Sequence, residues 1–185
     1  MVKLIKLFVE LLLTSCFISF SWAVFRVFIN PEKFMPIKML CISSFSTVFF
    51  GWQLLSIYEF PAKNLILLAI GITFLSTSLS LFWRAIPHAK SANLGIAFSK
   101  TKSSEILVKG PYRYIRHPFY ASYLLFWLGG VLVTQNYWLM ISVATMGWFY
   151  LEAIYQEEYM LLSGEMAGIY KDYISKTGML FPKVL

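Results

Sequence analysis

Residues 110–151 read GPYRYIRHPFYASYLLFWLGGVLVTQNYWLMISVATMGWFYL: two arginines and a histidine crowded among tyrosines, then 33 consecutive residues, 119–151, without an Asp, Glu, Lys or Arg. One helix over that run would be about 50 Å long at 1.5 Å per residue, too long for a single crossing of a hydrocarbon core about 30 Å thick. Gln135-Asn136 interrupts the run near its middle. The stretch therefore predicts a tight hairpin of two short membrane helices, with the polar block 110–118 held at the membrane surface.

Working outward, residues 39–58 and 64–83 are uncharged and long enough for one crossing each. Residues 11–25 form a weaker candidate, fenced by Lys6, Glu10 and Arg26. The expectation is an all-α polytopic membrane protein with about five transmembrane helices, the last two a short hairpin, plus a cytoplasmic loop before the hairpin and a C-terminal helical tail. Composition agrees: 58% of residues are hydrophobic, 14% are charged and the mean hydropathy is +0.66. Leu13-Thr14-Ser15-Cys16 resembles a lipoprotein cleavage box, but Glu10 leaves too short an apolar run before it for a signal peptide. The two cysteines, Cys16 and Cys41, fall inside expected spans and read as apolar packing.

Charge is unevenly spread. Residues 84–118 carry a net +6 and residues 152–185 a net −2, within a chain of +7. By the positive-inside rule the basic segment is cytoplasmic, which places the 29–38 loop and the C-terminus on the same side. Lys3 and Lys6 then lie outside, a mild violation. Asn30-Pro31, Met35-Pro36 and Pro61 punctuate the first loops, and the third span is expected to end near Trp83-Arg84, before Pro87. No internal repeat or linker divides the chain. The reading is one integral membrane domain, 1–185, with three N-terminal spans in 1–83 and the motif-bearing half in 84–185.

Arg116-His117-Pro118 stands where the basic loop becomes the fourth span. Proline suits a first helical position, and the free N–H groups of a helix start favour an anionic or polar ligand. Alternatively Lys109, Arg113 and Arg116 anchor lipid phosphates. Glu157-Glu158 closes the fifth span, where a carboxylate is costly unless it faces a cation or a polar cavity. Neighbours on a helix lie about 100° apart, so at most one of the two is expected to face the motif. His88 reads as a surface residue. Two histidines and two cysteines far apart make no coordination set. G-x-G-x-x-G and Walker patterns are missing, which excludes a conventional nucleotide-binding domain. Neither metal nor nucleic acid is expected as a partner; membrane lipids are.

Together these blocks resemble the isoprenylcysteine carboxyl methyltransferase and phospholipid methyltransferase type of small membrane enzymes. The resemblance covers roughly residues 93–182. It rests on Gly110-Pro111-Tyr112, then Arg116-His117-Pro118-Phe119-Tyr120, then Glu157-Glu158 followed by Tyr170, Tyr173 and Thr177-Gly178 with Pro182. It implies S-adenosylmethionine as methyl donor, a hydrophobic or lipid-like acceptor (thiol, amine or carboxylate) at the cytoplasmic face, and cofactor contacts at Ser104, Glu105, Ile106, Leu107, Tyr112, His117, Pro118, Tyr120 and Glu158. Arg116 and Glu157 are the residues expected to orient the acceptor or each other, and no base is assigned. Two positions depart from the family's pattern. Ile154 stands where the prenylcysteine enzymes carry an arginine for the substrate carboxylate, and Met166-Ala167 replaces a phenylalanine-glycine. The alternatives are an NADPH-dependent membrane reductase of the sterol type, which shares the Arg-His-Pro-x-Tyr element, and a non-catalytic lipid-anchoring protein.

Overall fold

The computed structural model describes residues 2–28, 34–59, 64–92, 94–98 and 106–183. Among these the chain forms six α-helices: α1 (Val2–Arg26), α2 (Ile37–Glu59), α3 (Leu65–Ser91), α4 (Pro118–Thr134), α5 (Met140–Leu162) and α6 (Ala167–Lys176). Tight single turns at Gly110–Arg113 and Tyr137–Leu139 lead into α4 and α5. Lys3–Arg26, Ile37–Glu59 and Leu65–Ser91 are each long and apolar enough to cross a membrane, and α4 is a shorter apolar helix. Their outer faces expose Leu11, Ile18, Val48, Leu55, Ile66 and, from α5, Trp148. So much large apolar surface belongs against lipid tails rather than water. The protein is an integral membrane protein.

The uncharged run turns at Gln135-Asn136 because those two side chains satisfy the backbone there. Gln135 adopts a left-handed backbone (φ 53°), its amide accepts from Asn64 N (3.0 Å) and donates to Asn64 O (2.7 Å), and Asn136 caps Trp138 N at 3.2 Å. The hairpin tip is thus locked to the residue that also caps α3, since Asn64 Oδ1 accepts from Ile66 N and Leu67 N. Cys16 and Cys41 are free thiols, and Cys16 is buried in the core.

One expectation fails. Instead of ending near Trp83-Arg84, α3 runs on through Pro87 to Ser91. The lost N–H is outweighed by packing: Ala85, Ile86 and Ala89 are buried against Ala23, Tyr112 and Phe119. Proline inside a helix costs about 3 kcal/mol, which burial of Ile86 at about 1.5 to 3 kcal/mol, together with the two alanine methyls at about 0.8 kcal/mol each, offsets. Pro87 itself is exposed, where its ring meets no neighbouring helix.

Helix α4 is the axis of the fold. Most of its side chains are buried, and α3, α1, α2 and α5 surround it. Its partner α3 approaches most closely through glycines. A Cβ on Gly71 would lie 2.7 Å from Val133 Cγ1 and 2.9 Å from Val133 N, and one on Gly129 would lie 2.9 Å from Leu75 Cγ. Ser78 Oγ donates across the same interface to Ser122 O at 2.6 Å. Small residues of this kind let helix backbones approach closely in lipid, where packing and interhelical hydrogen bonds replace the hydrophobic drive. Antiparallel to α4 on its other side, α5 pairs through Trp127 Nε1, which donates to Tyr150 Oη at 3.0 Å. The start of α4 and the end of α5 therefore lie side by side.

Gly71→Ala should lower the thermal midpoint of the detergent-solubilised protein, reflecting about 1 to 3 kcal/mol of overpacking against backbone. Gly51→Ala is the matched control, because a Cβ there meets nothing within 4 Å. It should cost nothing in the same scan.

Candidate functional site

The site is built where α4 begins. His117 is the residue before Pro118, the first residue of α4, and its carbonyl accepts the first bond of the helix, from Ala121 N at 3.0 Å. Its imidazole is 8% exposed and lies between two carboxylates: Nε2 is 3.1 Å from Glu158 Oε1 and Nδ1 is 3.6 Å from Glu157 Oε2. Arg116 Nε donates to the same Glu158 oxygen at 2.8 Å, and its Nη1 donates to Thr177 O at 2.7 Å. Both glutamates thus reach the motif, where sequence spacing allowed only one. A ring with nitrogens on opposite edges meets two side chains 100° apart on one helix.

The C-terminal segment straps this arrangement down. Arg116 N donates to Gly178 O (2.8 Å), His117 N to Met179 O (3.1 Å) and Gly178 N to Tyr114 O (3.1 Å), forming an isolated parallel bridge between Ile115 and Gly178. From α6, Tyr173 Oη donates to Tyr112 O at 2.5 Å, and the Tyr170 and Tyr173 rings pack against each other at 5.9 Å. Gly110 starts the block in a left-handed turn (φ +57°) with His88 packed directly on it. His88, half-buried, supports the turn from α3.

Electrostatics follow from this packing. Glu158 lies beyond the uncharged run, and burial alone would raise its carboxyl. The hydrogen bonds from His117 and Arg116 and the guanidinium charge outweigh that and hold it at about 2. Burial pushes the Tyr173 hydroxyl up to about 12 and raises Tyr112 and Tyr170 too, so all three stay neutral hydrogen-bonding groups.

A cavity of ≈ 1160 Å³ opens beside the His117 ring. Its polar end is lined by Tyr112, Arg116, His117, Glu157, Glu165 and Tyr170. From there it continues between α1, α2 and α4 as an apolar arm walled by Phe17, Phe20, Ile42, Phe126 and Trp127. At the junction Tyr120, Tyr123 and Tyr150 pack with ring centroids 5.6 to 6.3 Å apart, and Tyr120 Oη donates to Glu157 Oε1 at 2.5 Å. Tyr112, 5% exposed, keeps a buried hydroxyl with no partner among the described residues.

Of the residues singled out from sequence, Ile106, Leu107, Tyr112, His117, Pro118 and Tyr120 line this one cavity, as do Arg116 and Glu157. Glu158 does not line it; it sits behind His117 and Arg116 and holds them. Ser104 and Glu105 lie outside the described residues. Ile154 is fully buried in the core and is not part of the lining. Sequence reasoning missed the apolar arm. Its signal was present on α2, where Ser43, Ser46 and Thr47 recur at helical spacing in an otherwise apolar span and line the cavity. On α4, Tyr120, Tyr123 and Trp127 show the same one-face spacing. Among the described residues no group of three or more His, Cys, Asp or Glu is placed to hold a metal.

Removing one partner of the buried pair, by Arg116→Met or Glu158→Gln, should cost about 3 to 5 kcal/mol, whereas the double variant should lose less than the sum. A double-mutant cycle on thermal unfolding in detergent checks this. Because the Glu158 carboxyl is held below its ordinary value of 4.5, its contribution is complete above that value and lost as pH falls towards 2. The acid limb of the stability profile should therefore flatten in Glu158→Gln. Gly178→Ala should loosen the strap, since a Cβ would collide with the Phe181 carbonyl oxygen. Faster proteolysis of the C-terminal segment reports it.

No curated protein and no solved structure matches the chain. Residues 67–163, which run from α3 through the hairpin to the end of α5, match the model of the isoprenylcysteine carboxyl methyltransferase (ICMT) family. That span covers more than half of the chain and contains the Arg-His-Pro block and both glutamates. The family implies a membrane methyltransferase, and the chain belongs to it.

Proposed function

We propose that the protein is an S-adenosylmethionine-dependent methyltransferase acting on a hydrophobic or lipid-like acceptor at the cytoplasmic face of a membrane. The observation that carries this reading is the continuity of the cavity, which joins a polar end at His117, Glu157 and Tyr112 to an apolar arm between α1, α2 and α4. At ≈ 1160 Å³ it exceeds the roughly 300 to 1,000 Å³ usual for one small ligand, leaving room for donor and acceptor together. Residues fit the donor by chemistry: an acid for its positive charge, aromatic walls, and the orphaned Tyr112 hydroxyl, which gains a partner only when something polar enters. Ile106, Leu107, Pro118 and Tyr120 complete the donor's walls in this reading, with Ser104 and Glu105 covering it. Glu158 acts from behind by fixing the His117 ring.

When bound, the donor supplies a methyl group already activated by its sulfonium. The chain's task is then to align and to exclude water. His117 and Glu157 set the polar end, the tyrosines at the junction fix the approach angle, and the α5–α6 corner with the C-terminal strap covers the top. In this reading the chain is one domain with five spans, the hairpin supplying the fourth and fifth. Residues 1–83 contribute three spans and the acceptor wall, and 84–185 the catalytic half. The basic segment and C-terminus face the cytoplasm, where anionic lipid meets Lys109 and Arg113. An acid at Glu157 in the cavity repels the phosphates of NADPH, which disfavours the reductase alternative.

Tyr112→Phe provides the test. Removing a buried, unpartnered hydroxyl should leave the thermal midpoint unchanged or raise it, yet weaken binding of S-adenosylhomocysteine about tenfold, the worth of one hydrogen bond to a ligand. Calorimetry on the solubilised protein reads both. Failure of the unaltered protein to bind either S-adenosylmethionine or S-adenosylhomocysteine defeats the proposal.

A further inference from the structure

At the end of the bundle that carries His117, helices α1 and α3 place a second group of charged and aromatic side chains on the flank turned away from the cavity. Trp22 and Arg26 stand one turn apart on α1, and Trp83, Pro87 and Lys90 recur at i, i+4 and i+7 on α3, so each set shares one face of its helix. The two faces meet. The Trp22 and Trp83 rings stack with centroids 5.5 Å apart and 28° between their planes, and Lys90 Nζ lies 5.1 Å from the centre of the Trp22 ring. Arg26, Trp83, Pro87 and Lys90 are exposed and Trp22 is half-buried. None of the five lines the cavity.

Cations at these positions also suit the helix ends, since Arg26 lies in the last turn of α1 and Lys90 in the last turn of α3. A helix end carries about half a negative charge, so two full positive charges exceed what the two ends balance by about one. No described carboxylate takes up the excess: the ion pairs among the described residues involve Lys38, Arg116, His117 and Lys176, none of them on this flank. Glu32 and Lys33, and the stretch 99–105 with Lys100, Lys102 and Glu105, lie outside the described residues, and the flank is built without them. Arg84 is exposed as well, but it is turned about 100° from Trp83 and does not share the face.

We propose that this flank binds one anionic phospholipid, its phosphate met by Arg26 and Lys90 and the upper part of its chains lying on the Trp22–Trp83 shelf. Hydrocarbon leads directly away from the shelf: one turn further into the membrane, Ile18 is exposed on α1 and Leu79 is partly buried on α3, each on the same helix face as the tryptophan that follows it. Tryptophan suits the junction of headgroup and chain, because its ring is apolar and its N–H is a donor. The choline of a zwitterionic lipid would bring a further cation to a wall that already presents two, whereas a net negative headgroup answers them. The site is separate from methyl transfer and does not rest on it. Behind the shelf, Ala23 on α1 and Ala85, Ile86 and Ala89 on α3 pack against Tyr112 and Phe119. A lipid that bridges α1 and α3 there stabilises the support of the Tyr112 turn, because it binds the folded chain alone.

The test uses the full chain in detergent micelles doped with phosphatidylglycerol or with phosphatidylcholine of the same chains, and reads the thermal midpoint against lipid fraction. Phosphatidylglycerol should raise the midpoint saturably, at a lipid fraction at least about tenfold below that needed for phosphatidylcholine. Arg26→Gln and Lys90→Gln should each raise the half-saturating fraction about fivefold, the scale of one basic side chain at a lipid surface, and Arg84→Gln should leave it unchanged. Equal action of the two lipids, or an Arg84→Gln effect as large as that of Lys90→Gln, means a general basic belt and overturns the site. Glycerol 3-phosphate producing the same shift as phosphatidylglycerol means a soluble anion and overturns the lipid assignment.

A second readout locates the lipid. With bromine atoms on the chains close to the headgroup, phosphatidylglycerol should quench tryptophan fluorescence more than phosphatidylcholine at equal lipid fraction. Combining Trp22→Phe with Trp83→Phe should abolish that difference. A difference that survives the double substitution puts the bound lipid elsewhere on the protein and overturns the proposal.

Discussion

Glu158 holds the site together. Buried at the end of α5, its carboxylate receives Arg116 and His117 from the other side of the hairpin, and Arg116 in turn reaches Thr177 O in the C-terminal segment. Each of these groups would be costly to leave alone in that environment, and each satisfies another. Three segments far apart in sequence, around 116, 158 and 177, are therefore held to one geometry. The backbone pairing of 114–117 with 178–179 follows the same line and ties the turn before α4 to the C-terminal segment.

That constraint explains the division of labour between the adjacent acids. Glu158, facing Arg116, is spent on structure. Glu157, one residue earlier and turned about 100°, faces the cavity, where Tyr120 is its hydrogen-bond donor. Had the pair been spaced by four residues, both would have shared a face and competed for the same cation. Adjacency gives one buried anchor and one cavity-facing acid on the same turn of helix. His117 touches both, so the orientation of its ring is determined from two directions.

The cavity also shows why the N-terminal helices matter to a site whose motifs all lie in the other half. Family similarity covers residues 67–163, yet Phe17, Phe20, Ile42 and Ser43 from α1 and α2 form much of the apolar arm. Helix α4 has twelve of its 17 residues buried and none fully exposed, and needs α1, α2, α3 and α5 around it. Glycines 71 and 129 let α3 come close enough to finish that enclosure, and α1 packs on α3 with Cys16 against the Leu75 carbonyl.

Much of this was legible in residue order alone. Runs without charge are set by the cost of putting charge in hydrocarbon, so the uncharged cores of helices α1 to α5 and the break at Gln135-Asn136 could be read directly, although α1 also takes in the charged residues Lys3, Lys6 and Glu10. The Arg-His-Pro block could be placed at a helix start, because proline there loses no hydrogen bond. What only the tertiary structure decided are relations between side chains distant in sequence. It decided that α3 passes through Pro87, since the burial that outweighs the proline is supplied by Ala23, Tyr112 and Phe119. It decided that Arg116 belongs to Glu158 and that Glu157 faces the cavity, because helix periodicity separates the two acids by angle but does not say which angle meets the motif. And it decided that a hydroxyl stripe on α2 faces the same space as a histidine 70 residues later, which no local pattern encodes.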